Sequence, residues 1–200
     1  MFITIEGIDG AGKTTLQQNL EKRLKNRGIE VLCIREPGGT KISESIRSIL
    51  LNPDNKKMHK MTEAFLFSAA RRQIVDEIIE PAIKSGKIVI CDRFYDSTIA
   101  YQGYGRGLNV SELKILNDLA SNHIIPDITF LIHIDREEAI KRIKNKNKDR
   151  MESDDGLLVK AKDGYLMLAK QNPERIIILN GIAKPDELAF EAERRILERM

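Results

Sequence analysis

Cysteine, histidine, net charge and long apolar runs are all scarce in this chain. Its two cysteines, Cys33 and Cys91, each sit inside an apolar, strand-like run. They read as buried free thiols in a reducing compartment and not as a disulfide framework. Of the three histidines, His133 lies in an apolar run and His59 and His123 in polar connectors, with no cysteine or second histidine at ligand spacing. No stretch has the length of a membrane-spanning helix. The first strand runs straight into the first motif, which leaves no place for a cleavable leader, so a cytoplasmic protein without a membrane partner is expected. A net charge of +3 is too small to argue for a nucleic-acid partner. There are no repeats, low-complexity tracts or linkers. With 200 residues, 42% of them hydrophobic, one domain over 1–200 with a substantial core is expected.

The most informative stretch is Gly7-Ile8-Asp9-Gly10-Ala11-Gly12-Lys13-Thr14. It follows the apolar run Met1 to Ile5 and leads into a helical pattern, the strand–loop–helix context of a phosphate-binding P-loop. Its glycines let the backbone curl so that N–H groups converge on an anion at the positive end of the next helix. Lys13 can then reach β- and γ-phosphates, and the Thr14 hydroxyl can ligate Mg²⁺. Gly7 to Thr14 as a whole is the expected ATP-binding segment.

Periodicity orders the remainder. Leu16, Leu20 and Leu24 recur at four-residue intervals, predicting a helix from Thr14 to Arg27 that stops at Gly28. Short strands are predicted at 29–34, 87–91, 128–134 and 175–179, and helices at 42–51, 61–85, 109–121, 157–170 and 186–200. Pro81 is expected to kink or end the long helix. About five strands alternating with helices imply a three-layer α/β domain with a mostly parallel sheet. Arg71 falls on the same face of the long helix as Phe67 and Val75, and an arginine in an apolar stripe needs a partner. Phe67 and Arg71 together suit a pocket wall: a ring to stack on a flat ligand and a guanidinium for its edge. Asp92-Arg93 follows the most apolar strand at its carboxyl end, where an acid can hold the Mg²⁺ shell and an arginine can face a phosphate.

Residues 94–108 hold three of the four tyrosines of the chain among hydroxyl and amide side chains, a mix that suits a nucleobase and a sugar. Glycines 103, 105 and 107 suggest a mobile loop at its end. Residues 141–150 carry six basic side chains in ten. In a phosphoryl-transfer enzyme, such a run reads as a mobile lid, here at about 141–153, that closes over a triphosphate.

These motifs have the order and spacing found in thymidylate kinases. Arg35-Glu36-Pro37-Gly38-Gly39-Thr40, Leu66 to Arg71, Asp92 to Gln102, Pro126-Asp127 and Asp149 to Glu152 all match, and the resemblance extends over essentially the whole chain. It implies the nucleoside-monophosphate-kinase version of the P-loop fold, usually dimeric, and transfer of the ATP γ-phosphoryl group to dTMP with Mg²⁺. By position, Phe67 should stack on thymine, Arg71 bond its O4 edge, and Ser97, Thr98 and Gln102 frame the nucleotide. Tyr101 should crowd the sugar 2′ position, and Arg93 and Arg47 should hold the dTMP phosphate. Asp9 should lie near the 3′-hydroxyl and acceptor phosphate. Lys13, Asp9, Arg93, Arg142 and Arg150 are the expected catalytic set, with Thr14 and Asp92 at the metal.

Two other readings stand beside this one. One is a kinase for another or broader pyrimidine acceptor such as dUMP, since one methyl contact discriminates by only about 1–3 kcal/mol. The other, a P-loop nucleotide switch, gives no use to the second cluster of Phe67, Arg71, Arg93 and Tyr101.

Overall fold

The three inner strands of the central sheet, Phe2–Glu6, Ile88–Asp92 and Ile128–His133, are buried on both faces. Ile3 and Ile5 pack on one side with Ile88, Ile90, Ile128, Phe130 and Ile132, while Phe2, Val89, Cys91 and Leu131 pack on the other. Such strands must be covered by helices on both sides, and only a parallel sheet is normally built this way. The structure, a computed structural model, describes residues 1–142, 149–151 and 155–200. Most of the expected lid over 141–153 lies outside the described residues.

The strands are β1 (Phe2–Glu6), β2 (Val31–Arg35), β3 (Ile88–Asp92), β4 (Ile128–His133) and β5 (Ile176–Asn180). They pair in the order β2-β3-β1-β4-β5, all parallel. The helices are α1 (Lys13–Lys25), α2 (Lys41–Leu51), α3 (Lys60–Ile74), α4 (Glu80–Lys84), α5 (Tyr95–Thr98), α6 (Val110–Ala120), α7 (Arg136–Arg142), α8 (Asp155–Gln171) and α9 (Pro185–Leu197). Leu16, Leu20 and Leu24 of α1 meet Leu188, Ala192 and Ile196 of α9 on one face. The other face is covered by the end of α3 and by α8. This is the expected three-layer α/β architecture.

Two local expectations are corrected. Pro81 does not end the long helix. The backbone passes from α3 through a π-helical segment, Val75–Ile79, into α4, and the Glu80 N–H reaches back to Val75 O. Widening the turn just before Pro81 accommodates the N–H that proline lacks. The glycine-bearing end of the tyrosine-rich stretch, expected as a mobile loop over 103–107, is helical as far as Gly105. After α5, a second π-helical segment runs Ile99–Gly105 and packs closely on α8. A Cβ on Gly105 would run into Leu157, and one on Gly164 of α8 would meet Tyr104 at 2.8 Å. The glycines are there so that two helical segments can approach.

Gly105→Ala and Gly164→Ala should therefore each destabilise the protein by about 1–3 kcal/mol through overpacking, read by urea denaturation. A loose loop would leave both changes neutral or mildly stabilising.

Candidate active site

β1 and β3 lie side by side, with Ile5 opposite Asp92. The loop after β1 and the Asp92-Arg93 turn therefore open into one crevice at the carboxyl edge of the sheet, where successive connections diverge. Gly7, Gly10 and Gly12 have φ of 141°, 83° and 97°, which side-chain-bearing residues rarely adopt. A Cβ on Gly7 would also sit 2.7 Å from Ile132 O. The loop wraps as a nest, and Gly12 delivers the chain into α1. Lys13 is buried beside it, donating to Ile8 O (3.1 Å) with Asp9 at 3.9 Å. Burial lowers the Lys13 pKa and Arg93 adds to this, against the acids Asp9, Asp92 and Glu6. Thr14 Oγ1 donates to Asp92 Oδ2 at 3.1 Å. Thr14, Asp92, Arg35, Lys141 and Arg142 all line a wide groove of about 1040 Å³ over the P-loop, which Gly181, Ala183, Pro185 and Leu188 also line.

Arg93 stands at the junction between this groove and a second, smaller pocket, lining both. Its backbone is left-handed, with φ of 70°, an unusual and strained conformation for a long side chain. The guanidinium donates to Asp9 (2.8 Å), Tyr101 (3.3 Å), Tyr165 (3.2 Å) and Ser97 (3.4 Å). It also lies over the Tyr101 ring at 5.1 Å. Burial works against its charge. The Tyr101 and Tyr165 hydroxyls and the Asp9 and Asp92 carboxylates nonetheless hold its pKa well above the ordinary arginine value.

Beneath Arg93 lies Glu6, fully buried at the end of β1. It accepts from Phe94 N (2.8 Å), Ser97 Oγ (2.6 Å) and Tyr165 OH (2.8 Å). Burial, reinforced by the nearby charge of Asp96, pushes its pKa up to about 7.

The smaller pocket is lined by Asp9, Glu36, Arg47, Phe67, Arg71, Arg93, Ser97, Thr98, Tyr101 and Gln102. Arg71 is 2% exposed. Its Nε pairs with Glu36 Oε2 (2.8 Å), and its Nη1 donates to Thr98 Oγ1 (2.9 Å) and Asn117 Oδ1 (2.8 Å). Among the described residues Nη2 has no hydrogen-bond partner and is left for the pocket. Burial raises the Glu36 pKa against the pull of Arg71, and Glu36 Oε1 is buried with no partner among the described residues. Arg47 donates to Pro37 O (2.8 Å) and borders both cavities. The predicted acceptor residues Arg47, Phe67, Arg71, Arg93, Ser97, Thr98, Tyr101 and Gln102 thus line one cavity.

Of the two expected lid cations, Arg142 borders the groove while pairing with Glu138 at 3.4 Å. Arg150 is not at the phosphate site. It is buried, with Nη1 on Glu63 Oε2 at 2.6 Å and Nε on Leu50 O at 2.7 Å. A buried carboxylate needs a cation more than a solvated groove does. Glu6, Glu63, Asn117 and Tyr165 were not singled out from sequence. Two carried a signal: Glu6 is an acid ending an apolar strand, and Glu63 is four residues before Phe67 and eight before Arg71 on one helix.

Known proteins bear on this arrangement. The sequence model of the family described as thymidylate kinase matches residues 5–191. The chain belongs to the thymidylate kinase family. It is 45% identical over 198 residues to the thymidylate kinase of Exiguobacterium sibiricum, covering 98% of this chain and 93% of that one. It is 47% identical over 182 residues to that of Caldanaerobacter subterraneus, covering 90% and 87%. The crystal structure of thymidylate kinase from Ehrlichia chaffeensis superposes with a TM-score of 0.77 at 38% identity over 98% of both chains. The chain is thus an enzyme, a phosphotransferase with the P-loop nucleoside monophosphate kinase fold. Among the described residues, no helix is long and apolar enough to cross a membrane.

The Glu6 environment makes stability depend on pH. Its folded pKa of about 7 lies above the ordinary 4.5, so the unfolded chain binds fewer protons between these values and stability falls as pH rises through this window. In Glu6→Gln this fall should be absent. Relative to wild type, the variant should gain up to about 3 kcal/mol between pH 4.5 and 7.5 in urea titrations. A constant difference across that range would contradict the assignment.

Proposed function

We propose that this enzyme transfers the γ-phosphoryl group of Mg-ATP to dTMP, yielding dTDP and ADP. The observation that carries the reading is the shared wall: Arg93, Asp9 and Arg47 border both the P-loop groove and the small pocket of Phe67 and Arg71. Two cavities joined through cations suit two nucleotides whose phosphates must meet.

The triphosphate lies along the P-loop, Gly7 to Thr14, with Lys13 on its outer phosphates and the adenine toward the apolar end at Ala183, Pro185 and Leu188. Thymine occupies the small pocket, stacked on Phe67, with Arg71 Nη2 donating to O4 and Thr98 and Gln102 at its edge. Tyr101 sits against the sugar, crowding the 2′ position. Asp9 faces the 3′-hydroxyl, and Arg93, assisted by Arg47 and steadied through Ser97, grips the acceptor phosphate. A dTMP phosphate oxygen is already anionic and attacks in line, so no protein nucleophile is needed. The enzyme neutralises crowded charge, aligns the two phosphates and excludes water. Arg142 at the groove rim supplies lid charge.

Thr14 Oγ1 and Asp92 Oδ2, 3.1 Å apart, are hard oxygen donors. They fit Mg²⁺, which takes few protein ligands and completes its shell with water and phosphate. When bound there, the metal neutralises charge on the β- and γ-phosphates.

The enzyme works as a homodimer in the cytoplasm. Ile42 and Ile49 of α2, Phe65 of α3, and Ile115 and Leu119 of α6 are exposed on neighbouring helices, an apolar surface that a second copy would cover. Sedimentation equilibrium tests this. The free thiols Cys33 and Cys91 suit a reducing compartment.

The test is ADP release in a coupled assay with Mg-ATP and dTMP, dUMP, the ribose form of TMP, dCMP or no acceptor. Fast turnover with dTMP and at least about tenfold less with the ribose form are expected, because Tyr101 leaves no room for a 2′-hydroxyl. In Tyr101→Ala that gap should narrow. Equal rates with dUMP would widen the acceptor to pyrimidines generally, and ATP hydrolysis indifferent to every acceptor would overturn the kinase reading.

A further inference from the structure

Glu63 is 1% exposed and lies beside the acceptor pocket without lining it. It shares a face of α3 with Phe67 and Arg71. Its Oε1 accepts from Gln102 Nε2 at 2.9 Å and from Arg106 Nε at 3.3 Å. Its Oε2 accepts from Arg150 Nη1 at 2.6 Å and from Arg106 Nη2 at 3.3 Å.

An ionised carboxylate can only accept hydrogen bonds. The end of the Gln102 amide that faces Glu63 must therefore be the NH₂ group, and the amide oxygen is turned away from it. Gln102 is buried and lines the pocket. Its Oε1 has no protein partner among the described residues and is the end left for a ligand. A free glutamine could rotate its amide and offer either a donor or an acceptor; this one offers an acceptor only. Beside it, Arg71 has three donors committed to Glu36, Thr98 and Asn117 and can only donate with the rest. The lining of one small pocket thus presents both a donor and an acceptor. Thymine and uracil complement it with O4 and N3–H. Cytosine carries the reverse pair, an amino group and an unprotonated N3.

We infer that Glu63 is a positioning residue that locks the Gln102 amide and so makes the acceptor pocket reject cytosine. The inference rests on the proposed pyrimidine acceptor and names how its edge is chosen. Arg106 and Arg150 neutralise the buried carboxylate, which explains why Arg150 is spent inside the protein. Because the lock is built in before the nucleotide arrives, the wrong edge meets like groups face to face, and the mismatch is not relieved by rotation.

Glu63→Gln tests this. The new amide can donate to Gln102 and release its rotation, while keeping size and shape. The ratio of kcat/KM for dTMP to that for dCMP should fall by about tenfold or more, the worth of one well-made buried hydrogen bond. Gln102→Met should lower the ratio similarly, and Glu63→Gln should then have little further effect in the Gln102→Met background. A merely structural Glu63 would lower kcat/KM for both substrates alike, and that result overturns the inference. So does a full Glu63→Gln effect on the ratio without Gln102. Should Glu63→Gln fail to fold, Gln102→Met decides alone, and an unchanged ratio sinks the idea. Calorimetric titration of dTMP and dCMP reads the same selectivity without turnover. A wild-type enzyme that binds thymine over cytosine but transfers no phosphate would therefore contradict the proposed reaction and leave the lock standing.

Discussion

A largely enclosed cation standing between two cavities, each proposed to receive a nucleotide phosphate, is the constraint around which this structure is arranged. Two phosphates brought into contact repel each other strongly once water is excluded, so a group at the junction must be positive, fixed and desolvated at once. Arg93 meets those conditions at a cost. Its backbone is left-handed and its charge is largely withdrawn from water. The compensation is local: Asp9 in contact, two tyrosine hydroxyls, and the strand end that sets its height above the sheet. Glu6 serves this arrangement from below. It orients Ser97 and Tyr165, which in turn hold one edge of the guanidinium. Burial of the Glu6 carboxylate, with Asp96 nearby, brings its pKa near neutrality even though the charge of Arg93 pulls the other way.

The acceptor pocket repeats the same logic with neutral edges. Arg71 is buried and cationic but pointed, because Glu36, Thr98 and Asn117 consume its other donors. Gln102 is neutral but directional, because Glu63 consumes its NH₂ group. In both, a side chain with several hydrogen-bonding choices is reduced to one by a partner behind it. Pre-organisation of this kind lowers the entropy lost on binding and turns flexible groups into specific ones.

Much of this was legible in the chain. The P-loop was readable because its function is carried by backbone conformation, which glycine spacing reports directly. The sheet was readable because strands buried on both faces are continuous apolar runs. The pocket pair Phe67 and Arg71 was readable from helical spacing alone. What escaped depends on long-range partners. Tyr165 reaches Glu6 from 159 positions away, and nothing local to Leu157–Lys170 marks a hydroxyl beneath the site. Arg150 was expected at the phosphates because it ends a basic run. Its destination was decided by Glu63, a buried acid 87 positions earlier. The two π-helical segments have no sequence signature of their own. Gly103 and Gly105, read as a mobile tip, are instead the places where helices touch.

In the proposed reaction one cation, Arg93, bridges two nucleotide sites. A crystal structure of the ternary complex with dTMP, Mg²⁺ and a non-hydrolysable ATP analogue tests it most directly. Thymine should lie against Phe67 and Arg71, triphosphate along residues 7–14, and the Arg93 guanidinium within hydrogen-bonding distance of the dTMP phosphate, facing the γ-phosphate. A dTMP phosphate held elsewhere, with Arg93 still closed on Asp9 and the tyrosines, would contradict it.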